Sequence, residues 1–268
     1  MSRLQIIALA WLVWSTGGAA QPLIVLDAGH EPSRPGATAR CRLKEVAYND
    51  AVVAELAMAL SAYRVILTRT AQAEIPLQQG VLRQYLGSDA QALWDKNPSL
   101  LARAALANEK QADLFISIHH DSTAERHQIS DPQLCGGQGG EKLHEAFKRQ
   151  YRIGFNIFID NNAAEPRRSL SLRVAKLIGK RLRASGRVAS DYHDDDCLSC
   201  RMIDGDLGLW HQDLAVLRHT RMPAVLIEVG NLIDVEDETF ISTAAFRRQF
   251  ADLIKSALAE YFATHYPE

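Results

Sequence analysis

Four residues far apart in the chain carry side chains that could together hold and use a metal ion. His30 closes the run IVLDAGH, in which an apolar stretch passes through an acid and two small residues to an imidazole. His119 and His120 end LFISIHH, Glu228 ends PAVLIE, and Glu45 opens EVAYN. Two imidazoles and a carboxylate are a recurring ligand set for catalytic zinc, with one coordination position left for water. A further carboxylate beside such a metal can act as general base and general acid. His30, Glu45 and His119 supply the ligand set, and Glu228 the acid–base group. Spacing alone does not force this reading. Nothing in the sequence is as local as a HExxH helix, and any α/β protein places some histidines and acids at strand ends.

The elements that would carry these residues follow from the hydrophobic pattern. Short apolar runs at 22–29, 63–69, 113–120, 154–161 and 222–230 read as buried strands. Helical spacing on good helix-forming sequence marks 45–62, 97–112, 166–186 and 243–265, with Pro98 in a first turn, Asn97 or Ser99 as its cap, and Asp206–Thr220 as a further helix. Strand alternating with helix predicts a single α/β domain built on a mostly parallel or mixed twisted sheet with helices on both faces. In such a sheet the functional crevice lies at the carboxyl ends of the strands. That is where His30, His119 and Glu228 fall, with Glu45 in the first turn of the helix behind the first strand. Two stretches, 70–100 and 121–153, are long for plain connections and read as insertions.

Lys+Arg 30 against Asp+Glu 32 gives no basic excess, which argues against nucleic acid as a partner. Residues 1–20 have an early cation, Arg3, an apolar run from Leu4 to Trp14 and small residues at Gly18 and Ala20. This reads as a cleavable signal peptide with a mature chain starting near Gln21, a retained anchor being the alternative. No later apolar stretch is long enough to span a bilayer. Export makes disulfides the default for Cys41, Cys135, Cys197 and Cys200. Of three pairings, Cys41–Cys135 with Cys197–Cys200 is favoured, because CLSC can close locally. A four-thiolate zinc site would need a second CxxC, and a redox CxxC would have to open a helix. His193 beside Asp194, Asp195 and Asp196 reads as a solvated loop. His127, His144, His211, His219 and His265 receive no role.

Taken in order, IVLDAGH, KEVAYN, VILTR, LLARAALANEKQADLFISIHHDS and MPAVLIEVGNLID resemble the zinc-dependent N-acetylmuramoyl-L-alanine amidases of the amidase-3 type, from about Leu23 to about Asp234. The resemblance implies a catalytic domain over 21–268. It implies Zn2+ held by His30, Glu45 and His119, Glu228 as the catalytic glutamate, and peptidoglycan as substrate. The bond cut would be the amide between the lactyl group of muramic acid and the L-alanine of the stem peptide. His120, Asp27 and Arg103 fall near the site as substrate contacts or ligand supports, although Asp27 could equally cap the turn and Arg103 form a structural ion pair. Amidases of this kind can carry a helix that blocks the metal until an activator protein moves it; Glu141 or Glu145 would then be the plug. The sequence departs from the family where Glu31-Pro32-Ser33 replace glycines and where His120-Asp121 follow the second ligand. The rivals are a zinc peptidase or carboxypeptidase acting on stem peptides, and a non-catalytic wall-binding or activator protein of the same fold. An exported, periplasmic location fits the leader and the cysteines.

Overall fold

The computed structural model describes residues 21–76, 97–193, 197 and 199–264. The expected leader at 1–20, most of the first insertion, Asp194–Asp196 and His265 lie outside the described residues. A seven-stranded mixed sheet forms the centre. Its strands are β1 (Leu23–Ala28), β2 (Arg64–Leu67), β3 (Leu114–Asp121), β6 (Asn156–Ile159), β7 (Arg201–Asp204), β8 (Leu209–His211) and β9 (Ala224–Asn231). The order is β2-β1-β3-β9-β6-β8-β7. β2, β1, β3 and β9 run parallel, β6 is antiparallel to β9, β8 is parallel to β6, and β7 returns antiparallel at the edge. Strands β4 (Gln128–Asp131) and β5 (Gly140–Leu143) form a separate hairpin.

Both faces of the sheet are covered, and the alternation of side chains shows it. Ile24, Leu26, Ile116, Ile118, Ile157, Ile159, Val225 and Ile227 point into one core with helices α1 (Glu45–Ala59), α4 (Arg167–Ala184) and α7 (Ala244–Ala263). Leu23, Val25, Phe115, Phe158, Ala224 and Leu226, one residue out of phase, point into the other with helices α2 (Pro98–Glu109) and α5 (Ala215–Arg218). Successive strand residues face opposite sides, so strands buried on both faces read as unbroken apolar runs.

Two further helices, α3 (Glu145–Gln150) and α6 (Val235–Ile241), lie in connections. Asn97 takes the N-cap position of α2 with Pro98 behind it, without a side-chain cap bond. The helix expected over Asp206–Thr220 is absent. Gly208 turns the chain at φ +64°, and Leu209, Trp210 and His211 pair as β8, all three buried, leaving only the four-residue α5. The second insertion consists of the β4–β5 hairpin followed by the short charged helix α3. Leu143 and Phe147 from it pack with Tyr192 and Ile233. Cys41–Cys135 and Cys197–Cys200 are both bonded. Among the described residues no helix is long and apolar enough to cross a membrane.

Candidate metal centre and active site

β1 ends at Ala28, and the turn that follows sets His30 at φ +62°. A non-glycine residue holds the left-handed region only where its surroundings impose it, and here two buried guanidinium groups do. Arg103 donates from Nη1 to Ala28 O (2.7 Å) and from Nη2 to His30 O (2.6 Å). Arg69 donates from Nε to His30 O (2.8 Å) and from Nη2 to Gly29 O (3.2 Å). Each arginine is neutralised, Arg103 by Asp27 (2.5 Å) and Arg69 by Asp50 (2.7 Å). Asp27 also accepts from Thr68 Oγ1 and Ser117 Oγ, both at 2.6 Å. Burial raises a carboxyl's pKa, but the Arg103 charge and the two hydroxyls outweigh it and hold Asp27 below its usual value. Asp27 therefore bears on the His30 turn through Arg103.

Glu45 is the first residue of α1, a favourable place for an anion because the free N–H groups of a helix start point there. Its Oε2 lies 3.0 Å from His30 Nε2, and its Oε1 lies 3.1 Å from His119 Nδ1. Backbone N–H groups of Ala37 (3.0 Å) and His120 (3.2 Å) donate to the same carboxylate. Burial works against its charge, but the hydrogen bonds and charges of His119 and His30 hold its pKa well below the ordinary value. The three potential donor atoms of His30, Glu45 and His119 all lie within 4.8 Å of one another.

Two glycines make the cradle. A Cβ on Gly29 would fall 2.2 Å from His119 Nε2, and one on Gly36, at φ +75°, would fall 2.4 Å from Glu45 Oε2 and 2.6 Å from His30 Cδ2. The donor set, two imidazoles and a carboxylate packed against bare backbone, fits a small divalent cation, and zinc among those with mixed nitrogen and oxygen ligands.

Glu228 sits in register with His119 on the adjacent parallel strand, so the two side chains leave the same face about 4.8 Å apart along the sheet. Its buried Oε2 has no hydrogen-bond partner among the described residues. Burial, then the charges of Asp121 and Glu45, push its pKa well above the usual carboxylate value. A carboxyl group kept basic beside a donor cluster suits proton transfer to and from substrate.

The structure separates the two adjacent histidines. His120, on the opposite parity, is 2% exposed and turned into the α1 side. Its Nδ1 lies 2.7 Å from Asn49 Oδ1, and its ring packs beside Tyr48. Burial pushes its pKa down to about 3. Its contacts are with α1, the helix that carries Glu45. Asn49 also donates to Gly29 O (3.0 Å) and Glu45 Oε1 (3.3 Å). Sequence reasoning missed Asn49 and Arg69. The signals were present: Asn49 is one helical turn after Glu45, and Arg69 follows the carboxyl end of the strand beside β1.

Neither plug residue reaches the site. Glu141 accepts from Ser130 Oγ (2.7 Å) across the β4–β5 hairpin, and Glu145 is exposed in the first turn of α3. The cause is the tether: Cys135 is bonded to Cys41, and Glu141 N–H donates to Arg40 O (3.2 Å), which fixes the hairpin to the surface. Of the expected loop with Asp194–Asp196 only His193 is described, and it is half-buried. Its ring packs edge-on to Phe158 and Trp210, and its Nδ1 lies 3.5 Å from Cys200 Sγ.

A mixed sheet covered on both faces, with a His/Glu/His donor set that could hold a metal ion and a buried carboxyl group beside it at the strand ends, defines an α/β domain with a candidate metal centre. The chain belongs to the N-acetylmuramoyl-L-alanine amidase family of the amidase-3 type, whose profile matches residues 24–260. It is 26% identical over 258 residues to the N-acetylmuramoyl-L-alanine amidase AmiC of Neisseria meningitidis, covering 91% of this chain and 53% of that protein. To AmiC of Escherichia coli it is 23% identical over 266 residues, covering 92% and 54%. The chain thus spans about half the length of the curated relatives it matches. In fold it is similar to the amidase Ami1 of Mycobacterium abscessus, with a TM-score of 0.63 at 19% identity, over 91% of this chain and 100% of that one. It is also similar to an amidase of Clostridium difficile 630, with a TM-score of 0.60 at 20% identity, over 92% and 99%.

Proposed function

We propose that this chain hydrolyses the amide between the lactyl group of N-acetylmuramic acid and the L-alanine of the peptidoglycan stem peptide. His30, Glu45 and His119 would hold zinc. When bound, the ion supplies Lewis-acid activation of water and of the amide carbonyl. The observation that carries the reading is the meeting of these three donors, from the turn after β1, the end of strand β3 and a helix start, with Glu228 in register beside His119.

An amide nitrogen leaves only as an amine, so a proton must be removed from the attacking water and delivered to that nitrogen. Glu228 is the group for both transfers. Its raised pKa narrows the gap between the carboxyl and the proton it must carry. The Arg69–Arg103 pair and Asn49 hold the His30 loop and Glu45 in place, so that the donor geometry does not have to be organised at each turnover. Residues 1–20 serve as an export signal, and the two disulfides suit an oxidising compartment, the periplasm. A protein activator belongs to the same proposal: the CwlD amidase of Clostridioides difficile, similar in fold, forms a complex with the GerS lipoprotein.

The test is mass spectrometry of what the chain releases from intact sacculi, with zinc and with a chelator. Free stem peptides beginning at L-alanine, lost on chelation, are expected. Shortened stems would mean a peptidase instead. Binding to sacculi without any product would mean a wall-binding or activator protein.

A further inference from the structure

On the side of the sheet that α2 covers, a second group of donors is assembled that the hydrolase site does not use. The potential ligand atoms of His193, Cys197 and Cys200 lie within 4.8 Å of one another. They follow the spacing H-x3-C-x2-C. Cys200 N–H donates to Cys197 O (3.1 Å), closing a turn across the CxxC.

The third donor is held from outside that turn. The His193 ring stands edge-on to Phe158, with centroids 4.8 Å apart at 85°, and to Trp210, 5.5 Å apart at 63°. Trp210 is in turn fixed by its Nε1–H, which donates to Asn156 Oδ1 at 3.0 Å. Cys200 packs on the apolar cluster that contains Phe115, Phe158, Trp210 and Leu226. An apolar surround that fixes ligands before the ion arrives is the usual support of a metal site.

In a tetrahedral site thiolate sulfur sits about 2.3 Å and imidazole nitrogen about 2.0–2.1 Å from zinc, so a sulfur and a nitrogen sharing the ion stand about 3.5 Å apart. Cys200 Sγ and His193 Nδ1 are already 3.5 Å apart. What withholds the site is the Cys197–Cys200 disulfide, whose sulfurs carry no thiolate charge.

We propose that His193, Cys197 and Cys200 form a second metal site, gated by the disulfide, that takes a borderline or soft cation such as Zn2+ once the CxxC is reduced. A dithiol reductant attacks one sulfur, the S–S bond breaks, and a second thiol of the reductant displaces it as a cyclic disulfide. Two electrons and two protons pass to Cys197 and Cys200. Metal binding then releases the two thiol protons to solvent. The site shares no residue with His30, Glu45, His119 and Glu228 and stands whether or not the proposed hydrolysis does.

Cobalt(II) is the probe, because only a thiolate ligand gives a sulfur-to-cobalt charge-transfer band in the near ultraviolet. The chain reduced with a water-soluble phosphine, which becomes its oxide and does not compete for the ion, should bind a second equivalent of cobalt and show that band. The oxidised chain should not. Cys197→Ser and Cys200→Ser should abolish it, and a Cys41→Ser/Cys135→Ser double variant should keep it. His193→Ala, which leaves the disulfide and hence the oxidised fold intact, should weaken cobalt binding after reduction by about tenfold or more. No band in the reduced chain overturns the proposal. So does a band that survives loss of Cys197 and Cys200, or an affinity that His193→Ala leaves unchanged.

Discussion

His119 and His120 are adjacent in the chain and face opposite ways, because a strand alternates its side chains between the two sides of the sheet. His119 shares its side with Glu228, and His120 goes to Asn49 beneath α1. That division sets what single substitutions should do. Glu228→Gln keeps shape and removes the proton acceptor, so kcat should fall by about 10²–10⁴-fold while one metal ion per chain remains by atomic absorption. His119→Ala should lose the ion as well. Loss of metal in Glu228→Gln would make that residue a ligand and remove it from proton transfer. Gly29 is the sharper test of geometry. A methyl there must displace the His119 ring, whose Nε2 would stand only 2.2 Å away. Gly29→Ala should therefore bind zinc more weakly by about tenfold or more, with unfolding unchanged to within about 1 kcal/mol, since misplacing one ligand costs far more than the added methyl gains. Zinc titration against a competing chelator reads the first and denaturant unfolding the second.

The clamp on the His30 turn belongs to the scale of elements: β1, the turn after β2, and α2 meet there through Asp27, Arg69 and Arg103. Asp27→Asn leaves Arg103 buried without its anion, a change that costs about 3–5 kcal/mol, measurable by denaturant unfolding at neutral pH. The sign of the pH effect follows from the lowered pKa of Asp27 in the fold. Its contribution is complete above the unfolded-state value of about 3.9 and drains away as pH falls through the still lower folded value. Asn at 27 should therefore flatten the acid limb of stability against pH. An acid limb identical to wild type would mean that Asp27 and Arg103 do not act as a pair. The strands and helices that meet here were legible because each is long enough for its period to show; β1, β3, β9, α1 and α2 all fall within a few residues of where the pattern puts them. β7 and β8 were not: β2 and β6 are as short but stand in apolar runs, whereas β7 is the half-exposed RMID and, for β8, LGLWHQDLAVL imitates helical spacing. The candidate ligands were visible as strand-end residues. Their supports were less so: Asn49 stands one helical turn after Glu45, but its bonds to Gly29 O and His120 and the reach of Arg69 to the His30 carbonyl are contacts between distant segments that no spacing encodes.

For the whole molecule the 121–153 insertion decides whether the catalytic face is blocked or built. A plug would hold a carboxylate against the donors and let go without harm to the core. This segment is instead fastened at three points: Cys135 to Cys41, Lys148 Nζ to Asp234 at 2.9 Å, and Leu143 with Phe147 to Tyr192 and Ile233. Its acids are spent or exposed, Glu141 on Ser130 and Glu145 toward solvent. Removing 136–150 would strip Leu143 and Phe147 from that cluster, and truncating a buried Phe alone costs about 3–5 kcal/mol. The deletion should therefore lower the thermal midpoint by several degrees and leave release of stem peptides unchanged or reduced. Glu141→Gln and Glu145→Gln, which disturb no packing, should hydrolyse sacculi at the wild-type rate. A deletion that folds as stably as wild type and hydrolyses faster, together with a faster Glu141→Gln or Glu145→Gln, would return the segment to the role of a plug. It would also require the hairpin to leave the surface to which Cys41 ties it.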